Sequence, residues 1–460
     1  MEPIRQHRPR RNSNATILLI IVVLALILAG LIAVIFIMNH TPTPSGPTNL
    51  SSEPSSTTET TAPPSTEPSI IKESTVTLSA VGDMLMHKPV FSTCKEDGGY
   101  DFDSIFRYFA QYIQSADISA CNIETTFAGL NNGYAYQGYP NFNCPDELAA
   151  DLKDAGFDLA LTANNHSYDT GSKGFHRTMQ VVQDAGLTLL GTKTAAENPD
   201  YFIFEKNGIR LAMACYTYEV NDDVNIVSPN GHTMKSADAP LIKSFQYSRL
   251  DLFYEEIQQN MAQMEEQNVD AFILFIHWGD EYQLKQNSTQ SKMAQKLCDL
   301  GVDVIIGGHP HVVQPTDLLT STVDPSHSTV CLYSMGNAVS NQRLGNISYV
   351  KTPHTEDGLM FSVTFARYSD GTVILESADA LPLWVRMGTN PGTNQKEYNI
   401  LPLDKGIANW QGWFHLSDSE LEQCNASYQR TMKIIGKGME KINTYLTANQ
   451  LAVEAQLGVS

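Results

Sequence analysis

Residues 302–312 read VDVIIGGHPHV, an apolar run that ends in two glycines and two alternating histidines. The run from Val302 to Ile306 is short and rich in β-branched residues, which is typical of a buried strand. Open α/β sheets bind ligands at the carboxyl ends of their strands, and that is where His309 and His311 lie. Because the flanking glycines allow a close approach, this segment predicts a metal site at the edge of a buried sheet.

Apolar runs alternate with amphipathic stretches along most of the chain, and this rhythm predicts an α/β fold with a mostly parallel sheet covered by helices. The first set comprises Val76 to Val81, Ile105 to Ile113, Ile118 to Cys121, Leu148 to Leu152, Leu159 to Thr162 and Met179 to Val182. The later set comprises a helix from Leu250 to Glu266, a strand from Ala271 to Ile276, a helix from Lys292 to Leu300, and strands from Val302 to Ile306 and Thr329 to Tyr333.

Two further elements are predicted near the C-terminal end of the sequence. Leu359 to Tyr368 and Thr372 to Ala380 are separated by Ser-Asp-Gly, which indicates a hairpin. Ser417 to Leu446 reads as a helix, with Ser417 as its cap and Glu420 at the third helical position.

The stretch from Ala15 to Met38 is almost wholly apolar, long enough for a helix to cross a hydrocarbon core of about 30 Å. The alternative is a cleaved signal peptide, but the run is longer than an ordinary signal core and no clear cleavage site follows it. Four arginines precede the run, so we expect a single-pass cell-membrane protein with a cytoplasmic N-terminus and an extracellular C-terminal domain.

Amino-acid composition distinguishes a linker from the globular domain in the rest of the chain. Thr41 to Pro68 is built from Ser, Thr, Pro and Glu, so it cannot bury a core and reads as a disordered linker. The predicted organisation is a basic tail (1–14), a transmembrane helix (15–38), a linker (39–74), a globular domain (75–385) and a C-terminal extension with a helical tail (386–460).

A formal charge of −20 argues against nucleic acid as a partner, because binding phosphate requires a basic surface. The seven cysteines form no CxxC pair, and most are expected to be buried thiols. A bridge from Cys94 to Cys144 or Cys121 remains open, since this side of the membrane can be oxidising.

Six polar clusters follow the apolar runs. Five of these clusters contain a candidate metal ligand, in some cases with further polar residues beside it. They are Gly82-Asp83, Asn122-x-Glu124, Asn164-Asn165-His166, His277-Trp278-Gly279-x-Glu281 and Gly308-His309-Pro310-His311. The sixth, around Ser334 to Asn337 with Asn341 and Gln342, is better suited to lining a pocket. Taken singly, a carboxylate after a strand can be a helix cap, and a lone histidine is usually structural. Their joint occurrence at the ends of separate predicted strands favours a metal site.

In their order these clusters resemble the bacterial capsule synthesis proteins of the CapA or PgsA type, which are associated with poly-γ-glutamate capsule. The resemblance runs from about Thr75 to Ala380 and includes Asn164-Asn165-His166-x-x-Asp169-x-Gly171 and Ser334-x-Gly336-Asn337. It implies a fold like that of calcineurin-like metallophosphoesterases, a four-layer α/β/β/α sandwich that holds two metal ions.

The resemblance also implies roles for individual residues. Asp83 and His311 would hold one ion, Asn165, His277 and His309 the second, and Glu124 would bridge them. His166 would be the transition-state donor or general acid, acting with Asp83 and Glu124. The polar residues expected to bind substrate are Asn122, Asn164, Glu281 and Asn337.

Two departures from the phosphoesterase pattern stand out. That pattern has a histidine two places after the first aspartate, where this chain has Leu85. His87 would substitute only if the backbone turns after the strand. Glu124 is one methylene longer than the usual bridging aspartate.

The leading hypothesis is a metal-dependent hydrolase of the phosphoesterase type, with one or two divalent ions. A ligand set of nitrogen and oxygen without thiolate fits Mn, Zn or Fe. The expected partners are the membrane, other capsule-synthesis membrane subunits, and an anionic polymer or phosphoester substrate. The alternatives are a scaffold or polymer-handling subunit without turnover, and a surface adhesin on a stalk, which leaves the polar clusters without a reason.

Overall fold

The computed structural model describes residues 70–458 except 222, 224, 225 and 391. The predicted transmembrane helix and nearly all of the predicted linker lie outside these residues. Among the helices inside the described range, none is both long enough and apolar enough to cross a membrane.

Seventeen strands and nine α-helices make up the described fold. The strands are β1 Lys72–Met84, β2 Lys95–Glu96, β3 Gly99–Tyr100, β4 Ile118–Ile123, β5 Leu159–Leu161, β6 Thr188–Leu190, β7 Phe202–Lys206, β8 Ile209–Tyr218, β9 Ser244–Phe245, β10 Ala271–His277, β11 Val304–Gly308, β12 Thr316–Thr320, β13 Ser328–Leu332, β14 Asn337–Val339, β15 Asp357–Tyr368, β16 Val373–Thr389 and β17 Lys396–Pro402. The helices are α1 Lys88–Thr93, α2 Asp103–Phe106, α3 Ala110–Ile113, α4 Glu147–Ala155, α5 Gly171–Asp184, α6 Leu250–Glu266, α7 Ser288–Leu300, α8 Trp410–Trp413 and α9 Asp418–Leu457.

Two large sheets carry the fold. Sheet 1 has the order β17-β16-β15-β1-β4-β5-β6, with β14 also paired to β1. Its strands β1, β4, β5 and β6 are parallel, whereas β15, β16 and β17 are antiparallel. Sheet 2 has the order β12-β13-β11-β10-β8-β7, and its centre, β13-β11-β10-β8, is parallel. In both sheets the parallel strands therefore end on a common edge, where polar side chains can meet.

The sheets share one core, and each carries helices on its other face. On β10, Ile273 and Phe275 point into the core between the sheets, whereas Phe272 and Leu274 pack with residues of α6 and α7. Strand β4 alternates in the same way, with Ala120 in the shared core and neighbouring side chains packed with residues of α1 to α5. Strands buried on both faces read as continuous apolar runs, which is why the sequence revealed them. The α/β class is confirmed.

Helix α9 closes one side of the core between the sheets. It packs along β16 and β12, and it contributes Ile435, Met439, Ile442 and Leu446 to the shared core. Its first turn has the predicted capping box: the Glu420 amide donates to the Ser417 hydroxyl, and the Ser417 amide donates to the Glu420 carboxylate. The buried face of this helix is apolar from Ile435 to Leu446, whereas Ser427 and Thr431 are polar residues on the same face.

The globular fold extends past both predicted edges of the domain. Strand β1 begins at Lys72, inside the segment interpreted as linker. Strand β16 crosses residue 385, and β17 adds an edge strand to sheet 1 from residues predicted to lie in the C-terminal extension. All seven cysteines are buried and free, so no bridge joins Cys94 to Cys144 or Cys121.

Candidate metal centre

The predicted ligands come together where the two sheets end. Sheet 1 supplies Asp83 from the end of β1 and Glu124 from the residue after β4, and the loop after β5 supplies Asn165. Sheet 2 supplies His277, the last residue of β10, and the turn after β11 supplies His309 and His311. All six side chains are buried. The parallel strands therefore bring together residues that are far apart along the chain.

Their ligand atoms form two groups that share one carboxylate. Glu124, His277 and His309 each offer an atom within 4.8 Å of the others, and so do Asp83, Glu124 and His311. The Oδ1 atom of Asn165 lies 2.9 Å from the Nε2 atom of His277, so it joins the first group. Two adjacent ligand sets joined by a carboxylate are the arrangement of a two-metal site.

Two buried polar atoms of this centre have no hydrogen-bond partner among the described residues. They are Oε1 of Glu124 and Nδ1 of His309. The same Oε1 atom lies 3.7 Å from Nε2 of His277 and 3.7 Å from Nε2 of His311. Buried polar atoms normally have partners, so these open positions suit a cation held by nitrogen and oxygen ligands. The residues present therefore fit a divalent metal.

The electrostatics of the two groups differ. Burial raises the pKa of Glu124 well above its usual range, and the Asp83 carboxylate raises it further. Burial lowers the pKa of both His277 and His309, so these imidazoles are neutral, which is the form that binds a metal. Burial also opposes a charge on His311, but Glu124 and Asp83 outweigh it and raise the pKa of His311 to about 10. A cation bound beside His311 must therefore displace a proton.

The His309-Pro310-His311 turn has unusual backbone geometry. His309 has a φ of 96° and His311 a φ of 56°, a region that residues with a side chain rarely adopt. Gly308 precedes the turn. A Cβ atom added to Gly308 would lie 3.2 Å from Oδ1 of Asp83 and 3.5 Å from Nδ1 of His277. This strained turn directs the imidazoles of His309 and His311 towards the carboxylates of Asp83 and Glu124.

Two of the residues predicted to bind substrate, Asn122 and Asn164, form a chain of hydrogen bonds that ends on the carboxylates. The Asn122 amide donates to Oδ1 of Asp83 at 2.7 Å and to Oε2 of Glu124 at 3.2 Å. The Asn164 amide donates to Oδ1 of Asn122 at 3.0 Å and to the Ile123 carbonyl at 2.8 Å. Both side chains are buried. This amide pair fixes the orientation of the acidic ligands, as outer-shell partners of metal sites do.

The other two predicted substrate residues lie on either side of His311. Oδ1 of Asn337 is 3.1 Å from Nδ1 of His311, and its amide donates to the Thr355 carbonyl, so Asn337 supports the imidazole from behind. Glu281 is 44% exposed, with Oε1 3.9 Å from Nε2 of His311. Of the four, Glu281 is the one that faces solvent.

His166 is paired with a carboxylate. Its Nδ1 atom lies 2.7 Å from Oδ2 of Asp169, which also accepts the Phe142 amide at 2.7 Å. The carboxylate therefore fixes Nδ1 as the protonated nitrogen and leaves Nε2 for chemistry. The sequence predicted a role for His166. Asp169 belonged to the same family motif, but no role was predicted for it.

Leu85 is buried, and its apolar side chain offers no ligand where the phosphoesterase pattern has histidine. The backbone does turn after β1, since the His87 amide donates to the Leu85 carbonyl at 2.9 Å. His87 is nevertheless not part of either ligand group. The group around Asp83 therefore has three ionisable ligands among the described residues.

A family model described as bacterial capsule synthesis protein PGA_cap matches residues 77–342. This match covers more than half of the chain. The chain belongs to this family. Every residue of the centre, from Asp83 to Asn337, lies inside the matched region of this capsule synthesis family member.

Two curated relatives carry related names. The capsule biosynthesis protein CapA of Bacillus anthracis is 25% identical over 331 residues, which are 70% of this chain and 71% of that protein. The PGA biosynthesis protein CapA of Bacillus subtilis (strain 168) is 27% identical over 266 residues, which are 57% of this chain and 63% of that protein. The chain thus spans less than two thirds of the second relative.

A hypothetical protein from Thermus thermophilus, known from a crystal structure, covers 67% of this chain and 99% of its own at 12% identity. Its TM-score is 0.37, a likeness too weak to carry an argument about the fold.

Aromatic residues that sequence reasoning missed surround the centre of this family member. The Tyr218 ring, at the end of β8, lies 4.8 Å from the His309 ring and 6.5 Å from the His277 ring. Tyr282 lies 6.2 Å from His311, and Tyr349 and Tyr139 continue outward at 6.0 and 6.3 Å. Tyr139 and Tyr349 are exposed. The apolar run that ends at Tyr218 was the available signal for the first of these residues, and Tyr282 directly follows Glu281 in the fourth polar cluster. Tyr139 and Tyr349 lie in turns and loops without such a signal.

Proposed function

We propose that this chain is a metal-dependent hydrolase of capsule assembly, with a phosphoesterase-like centre, that acts on an anionic polymer or its phosphoester precursor. The observation that carries the proposal is the buried Glu124 carboxylate shared by two sets of ligand atoms. Mn, Zn or Fe suits this mixture of imidazole, amide and carboxylate ligands. The four-layer arrangement of helices and sheets supports a likeness to calcineurin-like phosphoesterases.

The residues of the centre would have different roles. Bound ions would supply Lewis-acid activation of water and of the attacked group. Asn122 would hold the two carboxylates in place, Asn164 would hold Asn122, and Asn337 would hold His311. His166, oriented by Asp169, would carry a hydrogen on both ring nitrogens: Nδ1–H would donate to Asp169, and Nε2–H would give its proton to the leaving oxygen or stabilise the charge on that oxygen.

The row of tyrosines from Tyr282 to Tyr139 supports an extended substrate, because it continues from the centre to the surface. Flat rings covering that distance can contact several units of a polymer. Within this proposal the domain lies outside the cytoplasm, tethered by the 15–38 segment and the linker, and works with other membrane subunits of the capsule machinery. The names of the Bacillus relatives support the link to capsule.

Leu85 favours a second candidate function. With an apolar residue at that position, the ligand group around Asp83 has only three ionisable members among the described residues. A centre that holds one ion weakly would suit a scaffold or polymer-handling subunit that binds the polymer without turnover.

Metal analysis and turnover assays separate these functions. Full-length protein is purified, its bound metal is measured, and hydrolysis of phosphodiesters and γ-glutamyl amides is followed with and without Mn²⁺. Wild type should hold metal and hydrolyse one substrate class, and His309→Ala should lose both properties. His327→Ala is the matched control, since His327 contacts the Val302 carbonyl and no ligand. Metal content unchanged by His309→Ala would refute the centre, and metal binding without turnover would favour the scaffold.

A further inference from the structure

His87 is a buried histidine beside the centre whose role the ligand groups do not explain. It lies in the turn between β1 and α1, and only 5% of it is exposed. Its Nε2 atom has no hydrogen-bond partner among the described residues. A buried polar atom left open in this way needs a reason, and next to a site the natural reason is a ligand.

The contacts of its other ring nitrogen fix the tautomer of His87. Nδ1 lies 3.3 Å from the backbone nitrogen of Asn341 and 3.2 Å from the Leu85 carbonyl oxygen. The Leu85 oxygen also accepts the backbone N–H of His87, and since a carbonyl oxygen can accept two hydrogen bonds, this contact does not decide the tautomer. Asn341 is buried, and its N–H requires an acceptor, which Nδ1 supplies. Nδ1 is therefore the bare nitrogen, and Nε2 carries the hydrogen.

A hydrogen on Nε2 makes His87 a hydrogen-bond donor at that atom, and no cation shares it in this tautomer. Burial lowers the pKa of His87 to about 4, so the ring is neutral around pH 7. This agrees with the absence of His87 from both ligand groups. His87 thus does not replace the histidine missing at Leu85.

His87 and His166 are linked by one phenyl ring. The centroid of Phe142 lies 5.2 Å from that of His87 and 4.7 Å from that of His166, and both contacts are edge-on. Phe142 therefore packs against the imidazoles of both His87 and His166.

We propose that the Nε2–H group of His87 donates a hydrogen bond to an anionic oxygen of the bound substrate, beside the oxygen served by His166. This inference rests on the proposed function and adds a specificity-determining residue to it. The ligand chemistry is an oxyanion, carried either by a phosphoryl group or by a carboxylate. A neutral donor suits this task because it selects an acceptor oxygen without adding charge near the ions.

The test uses full-length protein loaded with Mn²⁺ and two probes, inorganic phosphate and glutarate, whose affinities are measured by calorimetry. His87→Phe keeps a flat ring but removes the donor, and we expect it to weaken one of the two affinities about tenfold or more. The probe whose affinity falls shows whether the oxyanion belongs to a phosphoryl group or to a carboxylate. His87→Gln, whose amide can place an N–H near the same point, should restore most of the affinity.

His354→Phe is the matched control. The Nδ1 atom of His354 is also buried without a hydrogen-bond partner, but its neighbours are Asp357 and Arg430 rather than the centre. Bound Mn²⁺ should be the same in wild type and all three variants. Should His87→Phe fail to fold, the ¹⁵N shifts of His87 in wild type decide: they should show the Nε2–H tautomer and move on adding the bound probe.

Three results would overturn the inference alone. One is wild-type protein that holds Mn²⁺ while His87→Phe binds both probes as wild type does, and another is an Nδ1–H tautomer in the wild-type spectrum. Loss of Mn²⁺ in His87→Phe would also overturn it, by making His87 a ligand. Wild type that binds no Mn²⁺ would instead refute the proposed function, and the inference with it.

Discussion

The Oδ1 atom of Asn165 lies 2.9 Å from Nε2 of His277, although 112 positions separate the two residues along the chain. Asn165 follows a strand of sheet 1 and His277 ends a strand of sheet 2. An amide oxygen and a neutral imidazole at this distance can serve the same cation. The contact therefore joins the two sheets through the centre.

Replacing Asn165 tests that contact. Asn165→Ala should lower the affinity of the group around His277 for Mn²⁺ about tenfold or more, because it removes an oxygen ligand. Equilibrium dialysis measures the change. Asn260→Ala is the control: Asn260 is equally buried but donates to the Tyr216 hydroxyl, away from the centre. Equal loss of metal in both variants would contradict a ligand role.

Glu124 belongs to both ligand groups, so its replacement should affect both ions. We expect Glu124→Gln to abolish most of the rise in Tm that Mn²⁺ gives the wild type, since an amide is a poorer bridge than a carboxylate. Without metal, its Tm should equal or exceed that of wild type, because burial disfavours the ionised carboxylate. Calorimetric scans with and without Mn²⁺ measure both effects. A full metal-induced shift in the variant would exclude the bridge.

Metal affinity should depend on pH through His311. In the metal-free protein its pKa is raised to about 10, so it holds a proton throughout the neutral range. The cation competes with that proton, and raising the pH removes the competitor. Mn²⁺ affinity should therefore increase with pH, by at most about tenfold per unit for one proton. Titrations in buffers of different ionisation heat measure the released proton, and His311→Gln should reduce it. An affinity that falls with rising pH would contradict this assignment.

The His166–Asp169 pair should matter for turnover and not for metal. Asp169→Asn no longer fixes Nδ1 of His166 as the protonated nitrogen, and we expect turnover to fall about 100-fold or more with bound metal unchanged. Asp238→Asn breaks a second His–Asp pair, in which His176 Nε2 lies 2.8 Å from Asp238, and should keep its turnover. Full activity in Asp169→Asn would remove His166 from the mechanism.

Gly82, just before Asp83, is required by close packing. A Cβ atom there would lie 1.8 Å from the Gly336 carbonyl oxygen, and a backbone atom cannot move aside cheaply. Gly82→Ala should lower the free energy of unfolding by about 3 kcal/mol or more. At Gly436, in α9, a Cβ meets nothing within 4 Å, so Gly436→Ala should raise it by about 0.5–1 kcal/mol. Denaturant unfolding compares the two, and a mild effect at Gly82 would contradict the packing.

Much of the fold could be predicted because buried strands and amphipathic helices have distinct periods. Helix α6 has the predicted bounds, Leu250 and Glu266, and β10 extends one residue past its predicted end. The hairpin of β15 and β16 also follows the prediction. Strand β17 could not be assigned, because as an edge strand it depends on its partner β16 rather than on its own pattern.

The identity of the clustered residues was likewise predictable, but not the direction of their side chains. Asp83, Glu124 and His311 meet because they end strands of sheets with a common edge. Whether Asn122 faces substrate or a carboxylate depends on its rotamer and neighbours, which no spacing encodes. Tyr218 was missed for a simpler reason, since the strand that carries it was not recognised.

The position of α9 has a consequence for biogenesis. The layer between the two sheets acquires its last apolar side chains only from residues 435–446, so a growing polypeptide that stops short of them leaves the interior open to water. Final consolidation must then wait until residues 435–446 have been synthesised, and chaperones have the opportunity to act on this protein until that point.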